Sequence, residues 1–103
     1  MEISCSIPSS LQKYTDNNKE VNITALNIKD MIKEINNIYP GFEKQILNDD
    51  KSIKRFLNIY INDEDVRFLD YENSLLKNGD KVIILTAVAG GWFFLWELIL
   101  GQY

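Results

Sequence analysis

The chain opens with strict alternation of apolar and polar positions. Ile3, Cys5 and Ile7 alternate with Glu2, Ser4 and Ser6, the two-residue period of a half-buried strand. Pro8 ends that stretch, and Ser9 to Glu20 is polar, with turn chemistry at Asp16-Asn17-Asn18. Val21, Ile23 and Ala25 alternate again, which predicts an antiparallel hairpin with a long connection. The period then changes. Ile28, Met31, Ile32, Ile35 and Ile38 form the apolar stripe of a helix, with Asn27 placed to cap it and Asp30 in its first turn. Pro40-Gly41 stops this helix; Phe42 to Leu47 suits a short further turn, and Asn48 to Lys54 a charged loop.

Leu57, Ile59 and Ile61 alternate with Phe56, Asn58 and Tyr60, predicting a third strand. Asn62-Asp63-Glu64-Asp65 reads as a turn, and Val66-Arg67-Phe68 as a short fourth strand. After a turn at Asn78-Gly79-Asp80, Val82 to Leu85 is apolar on both faces, as suits the centre of a sheet. The order β-β-α-β-β-β defines an α+β domain, a mixed sheet with one main helix covering one face. It is the order of the β-grasp, or ubiquitin-like, fold. Phe56 and Tyr60 then point away from the covered face and, with one side of the last strand, form an apolar partner surface.

Composition removes several kinds of chemistry. The 103 residues suit one domain, and with no histidine there is no histidine-based nucleophile system, metal site or proton shuttle. The single cysteine, Cys5, cannot form an internal disulfide and reads as a buried small hydrophobe. Asp63-Glu64-Asp65 reads as a solvated turn, not a metal site. A net charge of −4 lacks the basic footprint of nucleic-acid binding and favours partners with basic surfaces. No signal-peptide pattern follows Met1, so the expected compartment is the cytoplasm.

One stretch is lopsided. Val82 to Leu100 holds nineteen residues with Glu97 as its only charge, the length of a membrane-spanning helix. Its first part is β-branched and follows a turn, however, and Ala89-Gly90-Gly91 interrupts it with adjacent glycines. No membrane span is therefore expected. The better division places a domain at 1–91 and a hydrophobic tail at 92–103. As a helix that tail would be about 18 Å long, too short to cross a bilayer core. Within it, Trp92 to Leu100 is expected to dock on the open sheet face or on another protomer.

Gly90-Gly91 admits two readings. It is a linker, or it is the end of a carrier whose side-chain-free backbone threads into another enzyme's active site. The segment Asn58-Ile-Tyr-Ile-Asn-Asp-Glu-Asp-Val-Arg-Phe68, the turn and strand NGDKVIIL from Asn78, and Ala87-Val-Ala-Gly-Gly91 closely resemble the ThiS/MoaD sulfur-carrier family. With Ser6-Ile-Pro8, they look most like the carrier of the protein-thiocarboxylate route to cysteine or homocysteine.

That resemblance implies a protein that is no enzyme itself and binds no cofactor. An E1-like adenylating and sulfurtransferase enzyme would take up Ala89-Gly90-Gly91 and use ATP to convert the Gly91 carboxyl to a thiocarboxylate. A pyridoxal-phosphate-dependent cysteine or homocysteine synthase would receive the sulfur, and a JAMM-type zinc peptidase would release the product. The chain departs from the family pattern at Thr86, where relatives often have proline, and above all because Trp92 follows Gly91. Gly91 is therefore an amide, and the Gly91–Trp92 bond is the expected processing site. Three rival readings stay open: a modifier conjugated through Gly91, a carrier serving molybdopterin or thiamine synthesis, and an interaction domain anchored by its tail.

Overall fold

A computed structural model of the chain describes residues 2–86. Five strands, β1 (Glu2–Ser6), β2 (Glu20–Thr24), β3 (Leu57–Ile61), β4 (Glu64–Asp65) and β5 (Lys81–Thr86), form one sheet in the order β2-β1-β5-β3-β4. β1 pairs antiparallel with β2 and parallel with β5, and β3 pairs antiparallel with both β4 and β5. The helix α1 (Ile28–Ile38) is followed by the short α2 (Phe42–Ile46).

Alternation dictates which face is covered. Ile3 and Cys5 of β1, Val21 and Ile23 of β2, Leu57, Ile59 and Ile61 of β3, and Val82 and Ile84 of β5 enter a single buried cluster. Ile28, Met31, Ile32 and Ile35 of α1 and Phe42 and Ile46 of α2 supply the facing layer of that cluster. The helix starts as its sequence dictates. The Asn27 Oδ1 accepts from the Asp30 backbone N–H at 2.7 Å, and the Asp30 carboxylate accepts in return from the Leu26 N–H at 3.0 Å. This reciprocal cap satisfies two donors that the helix start leaves free. Where α1 stops, Gly41 takes φ 103°, a left-handed conformation that suits glycine. The Asn36 Oδ1 then accepts from the N–H groups of Gly41 and Glu43, so α1 caps the start of α2.

Two stretches differ from expectation. The polar stretch from Ser9 to Glu20 contains a 3-10 helix over Ser9–Tyr14, whose Leu11 closes one end of the core. The fourth strand is Glu64–Asp65, while Val66–Phe68 is a 3-10 turn. The reason lies in the hairpin. Asn62 and Asp63 both adopt positive φ, 49° and 73°, giving a two-residue turn that pairs Ile61 directly with Glu64. Asp65 then caps the following turn, its carboxylate accepting from the Arg67 N–H at 2.8 Å, and this ends the strand early.

Candidate functional site

The exit from the sheet and the face beside it make up the candidate site. β5 lies in the middle, between β1 and β3, and the described residues end on this strand, which is paired on both sides. Its last described residue, Thr86, is buried, pairs with Leu57 and has its hydroxyl 3.5 Å from that of Ser10. Ala89, Gly90, Gly91, Trp92 and the whole stretch 92–103 lie outside the described residues. Any membrane span through Val82 to Leu100 falls largely there too. Among the described residues, no helix is long and apolar enough to cross a membrane.

Phe56 and Tyr60 sit where alternation predicts, on the face opposite α1. Phe56 immediately precedes β3 and is 49% exposed, and the Lys54 ammonium stands 6.0 Å from its ring centroid. Tyr60 is half-buried. The register adds two residues that sequence reasoning did not name: Leu85 lies opposite Asn58 and Ile83 opposite Tyr60, so both share the outer face. The missing signal was register. A strand apolar on both sides does not say which of its residues stand beside Phe56 and Tyr60. Across β1, the same face turns polar: Ser4 pairs with Lys81 and Ser6 with Ile83, and beyond them lie Asn22 and Glu20 of β2. Over β3 and β5 the outer face thus sets Phe56, Tyr60, Ile83 and Leu85 around Asn58, with Lys81 at one end, and over β1 and β2 it is polar.

One edge of this strip is fixed electrostatically. The Arg67 guanidinium donates to the Asp65 carboxylate at 2.6 Å and 3.0 Å, and that pairing holds the Asp65 carboxyl below its ordinary range. Cys5 lies on the other face. Burial pushes its thiol up to about 12, aided by the nearby Glu20 charge, so the thiol stays protonated and unreactive near neutrality. Asp63, Glu64 and Asp65 do not converge. Asp63 lies in the turn, Glu64 is exposed and Asp65 is taken by Arg67. Among the described residues, no group of three metal-ligating side chains is present.

A five-stranded mixed sheet with one principal helix across one face is the ubiquitin-like β-grasp fold. Residues 6–91 match the ThiS family, and the chain belongs to that family. It is 36% identical over 93 residues to the sulfur carrier protein CysO of Mycobacterium tuberculosis, a match covering 88% of this chain and all of the relative. CysO in the crystal structure of the Amycolatopsis orientalis BexX/CysO complex superposes with a TM-score of 0.81 at 35% identity, covering 86% of this chain and 99% of that one. The solution structure of the small archaeal modifier protein 1 from Methanosarcina acetivorans gives 0.74 at 26% identity, covering 87% and 96%. The curated relatives are sulfur carrier proteins, small ubiquitin-like carriers and not catalysts, and this chain is a ubiquitin-like protein of their family.

Proposed function

We propose that this chain is the precursor of a sulfur carrier whose reactive group is the carboxyl of Gly91. One observation carries the reading: the family match ends at Gly91, and the chain continues through Trp92. While the Gly91–Trp92 amide is intact there is no carboxylate to activate. A peptidase, of the JAMM zinc type by the family resemblance, hydrolyses that bond and releases residues 92–103. An E1-like enzyme then joins the Gly91 carboxylate to AMP, with pyrophosphate leaving from ATP. A sulfur nucleophile displaces the AMP and leaves a thiocarboxylate. The sulfur is passed to an acceptor on a pyridoxal-phosphate enzyme in cysteine or homocysteine synthesis. ATP, zinc and pyridoxal phosphate all belong to the partners.

What the chain itself supplies is a rigid handle and a slender end. Five residues, 87–91, separate Thr86 from the reacting carbonyl, and extended they reach about 17 Å. Glycine at the last two positions lets that end enter a narrow channel. CysO of Amycolatopsis orientalis is found in complex with BexX, so a relative of this chain engages a separate protein.

Incubating the chain with the JAMM-type peptidase of its own organism and measuring intact mass tests the first step. The expected product ends at Gly91; persistence of the full-length mass contradicts the precursor reading. The likeness to small archaeal modifier protein 1 supports a second reading, conjugation of Gly91 to lysines of other proteins. Isopeptide-linked Gly91 remnants after tryptic digestion would establish that reading, and free thiocarboxylate without them favours the carrier.

A further inference from the structure

Asn78-Gly79 is the one Asn-Gly step in the sequence. At such a step the glycine has no Cβ to hinder its own backbone nitrogen from attacking the asparagine side chain. The Gly79 nitrogen bonds to Asn78 Cγ and gives its proton to water or hydroxide, while the Cγ–Nδ2 bond breaks and ammonia leaves. The five-membered succinimide then takes up one water. Opening at Cγ gives aspartate. Opening at the main-chain carbonyl gives isoaspartate, whose backbone runs through Cβ and is one carbon longer. The reaction requires that the Gly79 nitrogen be free and that Asn78 turn its side chain onto it.

The fold opposes both requirements. Lys77 to Asp80 form a turn in which the Asp80 N–H donates to the Lys77 carbonyl at 3.0 Å. Gly79 takes φ 87° while Asn78 keeps a negative φ, as a type II turn demands. That turn sets ψ at its second residue near about +120°, whereas ring closure needs ψ of the opposite sign. Glu2, at the start of β1, holds both reacting groups. Its carbonyl accepts from the Gly79 N–H at 2.7 Å, and its N–H donates to Asn78 Oδ1 at 3.0 Å. From the other side, the Asp80 carboxylate accepts from the Lys77 N–H and from the Asn62 amide, both at 2.7 Å. Asn78 and Gly79 are themselves exposed, so water reaches them as soon as these contacts open.

We propose that Asn78 is a deamidation site gated by the first residues of β1: it reacts while Glu2 is lifted from the turn, and isoaspartate then keeps the gate from closing. Opening is easiest near a chain end, and Glu2 is the second residue. The trap follows from register. The Ser4 N–H donates to the Asp80 carbonyl at 3.1 Å, and the parallel pairing of β1 with β5 runs on from there through Cys5 and Val82. One extra backbone carbon between Lys77 and Asp80 breaks the turn bond and carries the Asp80 carbonyl out of line with Ser4. Aspartate leaves the backbone length unchanged and keeps an oxygen where Asn78 Oδ1 stood, so the gate closes on it again.

The full chain is incubated in mildly alkaline buffer, native and unfolded in guanidinium chloride, and Asn78 is followed by peptide mapping that separates aspartate from isoaspartate. Two hydrogen bonds of ordinary strength hold the gate, so the native rate should be about thirtyfold below the unfolded one. Glu2→Pro removes one donor at the first residue of a strand, where proline is tolerated, and should raise the native rate about fivefold. Ile35→Val, in the buried stripe of α1, lowers overall stability without touching the gate and should leave that rate unchanged. A native chain that reacts as fast as the unfolded one would overturn the proposal. So would a rate that rises as much in Ile35→Val as in Glu2→Pro, because opening is then global. In hydrogen exchange, the isolated isoaspartate form should lose its Ser4 N–H protection about tenfold or more, while Asn78→Asp should match the unmodified chain. Equal Ser4 protection in all three would overturn the trap.

Discussion

The two faces of the sheet are made by the same strands but built to opposite ends. Toward α1, Ile3, Cys5, Ile59, Val82 and Ile84 are each at most 2% exposed and meet the isoleucines of the helix in one continuous cluster. Away from it, neighbouring residues on the same strands are polar over β1 and β2 and apolar only over β3 and β5. The inner face contributes stability, because apolar area removed from water is the dominant favourable term in folding. The outer face is more open at Phe56, which is 49% exposed, although Leu85 and Asn58 beside it are each 8% exposed.

Ile59→Ala should break this contrast most severely. Ile59 is 1% exposed, and opening a cavity there should cost about 2–5 kcal/mol in denaturant unfolding. In a chain shortened at Gly91, Phe56→Ala on the other face should stay within about 0.5 kcal/mol.

Alkali gives the next effect. Cys5 has its folded pKa raised, so its contribution is complete below the ordinary thiol range and is lost as pH rises toward about 12. Stability should fall by about 1.4 kcal/mol per pH unit across that window. Cys5→Ala should flatten the slope, and native Cys5 should resist iodoacetamide at neutral pH until the chain unfolds.

Helix capping comes third. Asn27→Ala should cost about 1 kcal/mol in thermal or chemical unfolding, since it leaves the Asp30 N–H without its partner.

Acid gives the smallest effect. Asp65 has its folded pKa lowered by Arg67, so the pair's stabilisation is present above the ordinary carboxylate value and fades as pH falls through the lowered one. Because the Arg67 side chain is 56% exposed, Arg67→Ala should cost at most about 1 kcal/mol at neutral pH. Acid titration of unfolding should show that difference shrinking below about pH 4.

Most of the inner face was legible from periodicity. β1, β2 and α1 each bury one side and β3 keeps its apolar Leu57, Ile59 and Ile61 on one side, so apolar residues recur at two- or three-to-four-residue intervals, and Asn27 and Asp30 announce the helix start. β4 was not legible, because the turn before it uses Asn62 and Asp63 at positive φ, and the pattern does not distinguish a two-residue turn from a four-residue one. The 3-10 segments at Ser9–Tyr14 and Val66–Phe68 likewise bury too few residues to set a period. At the site, Phe56 and Tyr60 could be read from alternation, whereas Ile83 and Leu85 required the pairing of β5 with β3. Gly91 rests on the family resemblance and on the chemistry of a terminal glycine, and it lies outside the described residues.

The thiocarboxylate proposed at Gly91 has a direct test. A chain ending at Gly91, incubated with the E1-like enzyme of its own organism, ATP and a sulfide donor, should gain the mass of sulfur in place of one oxygen. That mass should localise to Gly91 and be trapped there by an alkylating reagent. The full-length chain under the same conditions should remain unchanged. An unmodified Gly91-terminated chain, or equal modification of the full-length chain, would contradict the account.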